Sequence, residues 1–358
     1  MKKGLVVEIF GCDVDAAWTA GRLAERGEVV TWYFNTPRWG TRPQKLHARH
    51  YRALVQWLSE KGRRVDFLLT SPEIEGWKVG EGTYSYDFPF LGSELSRWVD
   101  TQKLFLELKQ VAKELGVRIV ECERFPAPDW TDTKLRVLTC DADPLVDWPK
   151  ALFNQHRKLE RIDLCETSYP SDPLGPNTGR IYHFGSTLGL LEPHSATQSS
   201  LSLFDENSEA IARCLRALQN PLSSAPSYLR ALCMQNMGAK RRFSTLWHGR
   251  SRIDAPGIIM MGSAMGNLHP AAGLDLEYRL KQSLDFVEYF EARRESLAES
   301  MHAFAETWNR QTEKRFLKAY KSSRMWVRGL RRHQSVRQTV AAATLLPQFL
   351  REALKSPL

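Results

Sequence analysis

Leu5-Val6-Val7-Glu8-Ile9-Phe10-Gly11-Cys12-Asp13-Val14-Asp15-Ala16-Ala17-Trp18-Thr19-Ala20-Gly21-Arg22-Leu23-Ala24-Glu25-Arg26-Gly27, followed by Val29 to Phe34, decides the fold. Leu5 to Phe10 is a short apolar, β-branched run stopped by Gly11, the pattern of a strand buried on both faces. Asp15 to Arg26 is alanine-rich and stops at Gly27, a residue suited to the position just past a helix end. Val29 to Phe34 is a second strand, so the segment predicts a βαβ unit.

Outward from this unit, Leu46 to Lys61 has helical spacing, and Val65 to Leu69 reads as a strand. Trp77 to Phe90 is rich in aromatic residues and glycine and reads as a hairpin. Thr101 to Leu115 is an amphipathic helix ending at Gly116, leading into a strand at Val117 to Cys122, and Leu135 to Cys140 is a further strand. Residues 165 to 204 read as sheet, Ser208 to Leu218 as a helix, Gly257 to Met261 as a strand, and the remainder from Gly273 as helix. Alternation of this kind predicts an α/β fold, a Rossmann-like doubly wound parallel sheet carrying a second, mostly antiparallel sheet and a helical C-terminus. We assign residues 1–70, 101–150 and 255–300 to the nucleotide-binding-type domain. Residues 71–100 and 151–254 form the substrate-type sheet, and 301–358 the basic C-terminal helices.

Composition narrows the class. The 358 residues, 42% of them hydrophobic, suffice for a sizeable core. The six cysteines contain no C-x-x-C pair, which argues against a zinc site or a thioredoxin-like redox centre and for reduced thiols in a cytoplasmic protein. No run reaches membrane-spanning length. The net charge is +9, yet Arg310 to Leu358 alone holds twelve Lys or Arg against Glu313 and Glu352, so the rest of the chain carries about −1. A basic patch at 310–337 would suit an acidic protein partner or an anionic membrane surface, or it is a solvated helical face. No nucleic-acid-binding motif accompanies it, and no nucleic acid is expected.

Gly11 stands where a G-x-G-x-x-G dinucleotide fingerprint belongs, between strand and helix, and a second segment, Gly262-Ser263-Ala264-Met265-Gly266-Asn267-Leu268-His269-Pro270-Ala271-Ala272-Gly273, follows an apolar strand. Together these resemble the two flavin-binding motifs of the FAD-dependent monooxygenases and flavin-dependent halogenases, and the resemblance spans roughly residues 4 to 330. It implies FAD, with Gly11, Asp13, Ala16, Asn35, Gly262, Ser263 and Gly273 at the cofactor-contacting positions. Lys78 matches the lysine that directs the oxidised halide in the halogenases, and His269 falls at the level of the flavin ring, where it could serve as a general acid or base.

Several of these positions depart from the family pattern. Asp13 replaces the second glycine and Ala16 the third, and Asp15 adds a further carboxylate beside the diphosphate position. Asn35 replaces the ribose-binding acid. Ser263 stands for the Asp of the second motif, Asp275 and Glu277 fall where its Gly and Asn are expected, and Leu138 to Pro144 lacks the Gly of the family's Asp-x-x-Gly strand end. The W-x-W-x-I-P signature of halogenases is absent around Gly179 to Gly185, and Ala272 stands in place of their glutamate.

The residues therefore predict a diverged homologue with weakened or lost FAD binding. Lys78, His269 and Asp275 are its candidate catalytic groups, and an apolar, aromatic or carrier-tethered metabolite of a biosynthetic pathway is its expected ligand. Trp77, Tyr84, Tyr86, Phe88 and Phe90 are candidate pocket-lining residues. The alternatives are a working FAD-dependent monooxygenase or oxidase, and a non-catalytic subunit that docks an acidic partner. Asp275 and His269 are expected to face the ring site.

Overall fold

A computed structural model of the chain describes residues 4–35, 44–66, 73–74, 76–79, 86–89, 96–127, 129, 134–140, 154–169, 178–195, 198–223, 225, 227–254, 257–297 and 300–331. The opening run forms strand β1 (Val6–Phe10), helix α1 (Val14–Glu25) and strand β2 (Val29–Phe34), with Gly27 at φ 82° reversing the chain after the helix. Strand β3 (Gln44–His47) and helix α2 (Ala48–Glu60) follow. The strand expected at Val65 to Leu69 is not formed at Val65, and residues 67–69 lie outside the described residues.

Strands β4 (Glu73–Ile74), β5 (Gly76–Val79), β6 (Tyr86–Pro89) and β7 (Ser96–Val99) come next, with β5 and β6 antiparallel as the hairpin pattern requires. Helix α3 (Thr101–Glu114) begins where the Asp100 carboxylate accepts from the Gln102 and Lys103 amides. Strands β8 (Arg118–Glu121) and β9 (Leu135–Leu138) close this part of the chain.

Strands β10 (Asn154–Tyr169), β11 (Thr178–Phe184), β12 (Thr187–Ser195) and β13 (Gln198–Asp205) build the second sheet. Helices α4 (Ser208–Gln219) and α5 (Ser227–Gln235) lead to the long strand β14 (Arg241–Asp254). Strand β15 (Ile258–Met260) returns to the first sheet. The two-residue strand β16 (Gly266–Asn267) precedes helices α6 (Asp275–Leu297) and α7 (Met301–Arg331).

The first sheet has the order β15-β9-β1-β2-β8, and every pair in it is parallel. Chain order reverses between β1 and β9, and in open α/β sheets the crevice outside the strand ends at such a switch point is where ligands bind. The second sheet has the order β16-β14-β10-β13-β12-β11-β5-β6 and is antiparallel except for β11 with β5. A third, small sheet has the order β3-β7-β4, with Leu46 and Val99 in the main core.

One core cluster joins α1, α2, α3, α6 and the start of α7 to the parallel sheet around Trp18, Trp32, Phe105, Phe286 and Trp308. A second cluster, with Phe10, Leu138, Met260, Met265, Tyr278 and Phe316, packs α7 against the strand ends. The Rossmann-like architecture with an antiparallel second sheet is thus the one expected from the sequence.

Candidate functional site

The switch-point crevice is built from three strand ends. After β1 the chain turns at Gly11, whose amide donates to Tyr33 O while its carbonyl accepts from Trp32 Nε1 at 2.9 Å. After β9 comes Thr139, and after β15 comes a single turn of tight helix, Gly262–Ala264. In a dinucleotide site the glycines of such turns leave room for the ligand, and the N-terminus of α1 faces its diphosphate.

Here the glycines pack against the chain's own side chains. Asp15, wholly buried at the start of α1, places Oδ2 where a Cβ on Gly262 would stand, and the Thr139 hydroxyl does the same at Gly11. The other Asp15 oxygen accepts from the Ala16 amide at 3.1 Å. Asp13 is bound by Arg279 of α6, Nη1 to Oδ2 at 2.6 Å, and the second Arg279 nitrogen donates to Asn267 Oδ1 at 2.9 Å. Both side chains of the Asp13–Arg279 pair are about one-fifth exposed. The pair ties the first βα turn to the helix that follows the second motif.

The electrostatics follow from this packing. Burial, reinforced by the Asp13 charge, raises the Asp15 carboxyl to about 7, even with Arg279 opposing the shift. Burial works against the Arg279 charge, but Asp13, Asp15 and Asp275 together hold it more firmly protonated than a free arginine. Burial and the two aspartates also push the Cys12 thiol far up, which makes it a poor nucleophile. A diphosphate entering this turn would meet the Asp13 carboxylate, at about 1 to 4 kcal/mol of repulsion per pair of unit charges at 4 Å. Its natural counter-charge, Arg279, is already bound.

The remaining sequence candidates are distributed as follows. Asn35 donates to Glu123 O at 2.7 Å. Ser263 donates to Thr139 O at 3.0 Å. Gly273 adopts φ 66° at the end of the Pro270–Ala272 turn. Asp275, expected beside the ring, opens α6 and accepts from the Leu268 amide at 2.9 Å, while Glu277 pairs with His50. Both acids thus satisfy groups of the chain itself. Lys78 lies on β5 opposite Arg180 and Asp87. Its side chain, those of Trp77, Tyr86 and Phe88, and all of Tyr84, Phe90 and 141–144 lie outside the described residues.

His269 is buried and caps the Pro270 turn, its Nδ1 accepting from the Ala271 amide at 3.3 Å. Its ring centroid is 4.5 Å from that of His248, itself buried and bonded through Nδ1 to the Tyr320 hydroxyl at 3.3 Å. Nothing in the sequence pairs His248 with His269. Their pairing depends on β14, which carries no strong apolar alternation. Among the described residues no group of three or more His, Cys, Asp or Glu is placed to hold a metal.

The basic C-terminal segment is partly neutralised. Arg310 bonds Glu306 at 2.6 Å, Arg315 bonds Asp285 at 3.2 Å, and Arg324 bonds Glu160 at 2.8 Å. Lys314, Lys318 and Lys321 remain exposed along one side of α7, and residues 332–337 lie outside the described residues. No described helix is long and apolar enough to cross a membrane.

No family model matches the sequence, and no curated protein does either. Solved structures do match. The flavin-dependent brominase Bmp2, as a triple mutant, superposes with TM-score 0.72 at 13% identity over 97% of this chain and 94% of its own. PqsL of Pseudomonas aeruginosa, a probable FAD-dependent monooxygenase, gives 0.68 at 13% identity over 95% and 100%. The tetracycline destructase Tet(55) gives 0.63 at 9% identity over 100% and 99%.

Proposed function

We propose that this chain, which has the fold of the FAD-dependent monooxygenases and flavin-dependent halogenases, carries a diverged form of their site that no longer holds FAD. In this reading it binds, or acts on, an apolar, aromatic or carrier-tethered metabolite. The observation that carries the reading is the Asp13–Arg279 pair across the first βα turn, with Asp15 buried beneath it against Gly262. These residues do not suit a dinucleotide: the close-approach point bears a carboxylate, and Arg279, the cation beside it, is bound to it.

The ligand class rests on two supports. Aromatic residues crowd the hairpin strands of the second sheet, and among structures of the same fold PqsL has been solved with 2-aminobenzoylacetate, an aromatic acid. His269, whose ring lies 4.5 Å from that of His248, is the group favoured for proton transfer in this reading, because imidazole is the side chain whose ordinary pKa lies nearest neutral pH. Lys78 and Asp275 enter this reading only as secondary candidates.

The test is direct. Protein purified from its own host should be colourless in the blue and near ultraviolet, and titrated FAD should show no saturable change in fluorescence. A yellow protein with about one flavin per chain and substrate-dependent oxygen uptake would instead establish the working flavin enzyme.

The exposed Lys314, Lys318 and Lys321 favour one further reading, in which α7 docks an acidic partner protein. Reversing all three to Glu should then abolish co-purification of that partner while leaving the far-ultraviolet spectrum unchanged. Unaltered co-purification would leave the lysines as a solvated face.

A further inference from the structure

Strand β14 presents an unusual edge. On one side it pairs with β10 over its whole length, whereas on the other, among the described residues, it meets only β16, at Gly249 and Arg250. The segment Arg241-Arg242-Phe243-Ser244-Thr245-Leu246-Trp247 runs beyond that contact, and five of its seven residues are exposed. Two of them are large: Phe243 is 61% and Trp247 51% exposed. They share a face with Arg241 and Thr245, since strand side chains alternate. The helices α4 and α5 pack on this face of the sheet around Cys165, Tyr182 and Leu203 but leave Phe243 and Trp247 bare. Met237, 67% exposed, lies in the connection that enters the strand.

A long edge carrying exposed aromatics is a template for pairing with another strand. The order of residues says which strand. We propose that β14 pairs antiparallel with β14 of a second copy of this chain, about a twofold axis at Ser244. In that register Arg241 stands opposite Trp247 of the other copy and Phe243 opposite Thr245, and Ser244 faces itself. Each guanidinium then meets an indole at cross-strand distance, a cation–π contact, at both ends of the ribbon. The two Arg241 side chains lie about six residues apart along the ribbon, roughly 20 Å at 3.4 Å per residue, so their charges do not oppose pairing.

The segment is thus complementary to itself, as an isologous interface requires. The neighbouring polar groups do not compete: Arg161 is held by Asp163 at 3.0 Å, and Thr245 donates to the same carboxylate at 2.8 Å. This inference is independent of whether flavin binds.

A seven-residue ribbon falls at the low end of specific interfaces, below about 1,200 Å² in total, so the dimer should dissociate on dilution through the micromolar range. Sedimentation velocity of the full chain, from about 1 to 100 μM, should show a reversible monomer–dimer equilibrium. Phe243→Lys with Trp247→Lys, both at exposed positions, should raise the dissociation constant at least tenfold with unchanged circular dichroism. Ser244→Cys should form a disulfide-linked dimer under mild oxidation that the unaltered chain does not form, because residues facing each other on the axis have Cβ atoms within about 5.5 Å. A chain that stays monomeric throughout, including one that instead pellets with anionic vesicles, overturns the proposal. So does a dimer indifferent to the double lysine variant, or one in which Ser244→Cys does not cross-link.

Discussion

Replacing Arg279 with Met should destabilise the protein by about 3 kcal/mol at pH 8, because it leaves the carboxylates of Asp13 and Asp15 facing each other without a cation. The effect should depend on pH, and the sign follows from Asp15. Its carboxyl is raised from 3.8 to about 7 in the folded protein. The folded state therefore binds more protons than the unfolded one in this window, and stability falls as pH climbs from about 4 to about 7. Removing Arg279, which lowers the Asp15 value, extends that decline to higher pH. The loss caused by Arg279→Met should thus be smaller at pH 5, where Asp15 is neutral in both proteins and only Asp13 is orphaned. Asp15→Asn should flatten the wild-type decline, and Asp13→Asn should recover part of the loss in Arg279→Met, since the two side chains are in direct contact. Denaturant midpoints at pH 5 and 8 measure all of this. Equal losses at the two pH values would show that Arg279 contributes packing and not charge.

This arrangement explains how a chain can keep a dinucleotide fold while altering its most constrained positions. Two acids at the mouth of α1 would be unfavourable in an otherwise empty turn, although the N-terminus of a helix welcomes negative charge. Arg279 completes the compensation from α6, and Asn267 orients it. Asp13, Asp15 and Arg279 therefore act as one unit. A single reversion, such as Asp13→Gly, would leave Arg279 beside a buried Asp15 and would not by itself rebuild a diphosphate site.

The sequence made the parallel half of the fold plain and the site only partly so. The β1–α1–β2 unit was legible because its two strands are short and largely apolar, β1 being buried on both faces past Val6, and because Gly11 and Gly27 mark its turns. Strand β14 was not legible: its Phe243 and Trp247 face outward, and its polar residues, Arg250 and Ser244 among them, break any inward alternation. The β-branched and aromatic spacing Phe243, Thr245, Trp247 was the available signal. Asp13, Asp275 and Glu277 were recognised as misfits from the motifs, but their partners were not. Arg279, Leu268 and His50 are reached only through tertiary contacts spanning up to 266 positions in the chain. The clue to Arg279 was physical: two acids at a closed turn require a cation, and α6 offers one a turn after Asp275. His269 was read as a candidate acid or base at the level of the ring, while its capping of the Pro270 turn and its closeness to His248 required the fold.

The second motif supplies the other large expected effect, at Gly262. This residue adopts φ 54°, in the left-handed region, where any side chain adds strain of about 1 to 2 kcal/mol. A Cβ there would also coincide with Asp15 Oδ2 and come within 2.9 Å of the Thr139 carbonyl oxygen. Asp15 has no room to withdraw, being wholly buried, and Thr139 O is backbone that accepts from Ser263. Gly262→Ala should therefore lower stability by roughly 3 to 4 kcal/mol, the sum of left-handed strain and core overpacking. Two comparisons separate these parts. Gly27→Ala, at φ 82° with nothing within 4 Å of the added carbon, should lose only about 1 kcal/mol. In an Asp15→Ala background the carboxylate is gone, so Gly262→Ala should cost markedly less than in the parent chain, the remainder coming from φ and from Thr139 O. If Gly262→Ala is no worse than Gly27→Ala, or if Asp15→Ala gives no relief, then Asp15 does not fill the space over Gly262. In that case the crevice is open to a ligand, and the closed-site reading fails with it.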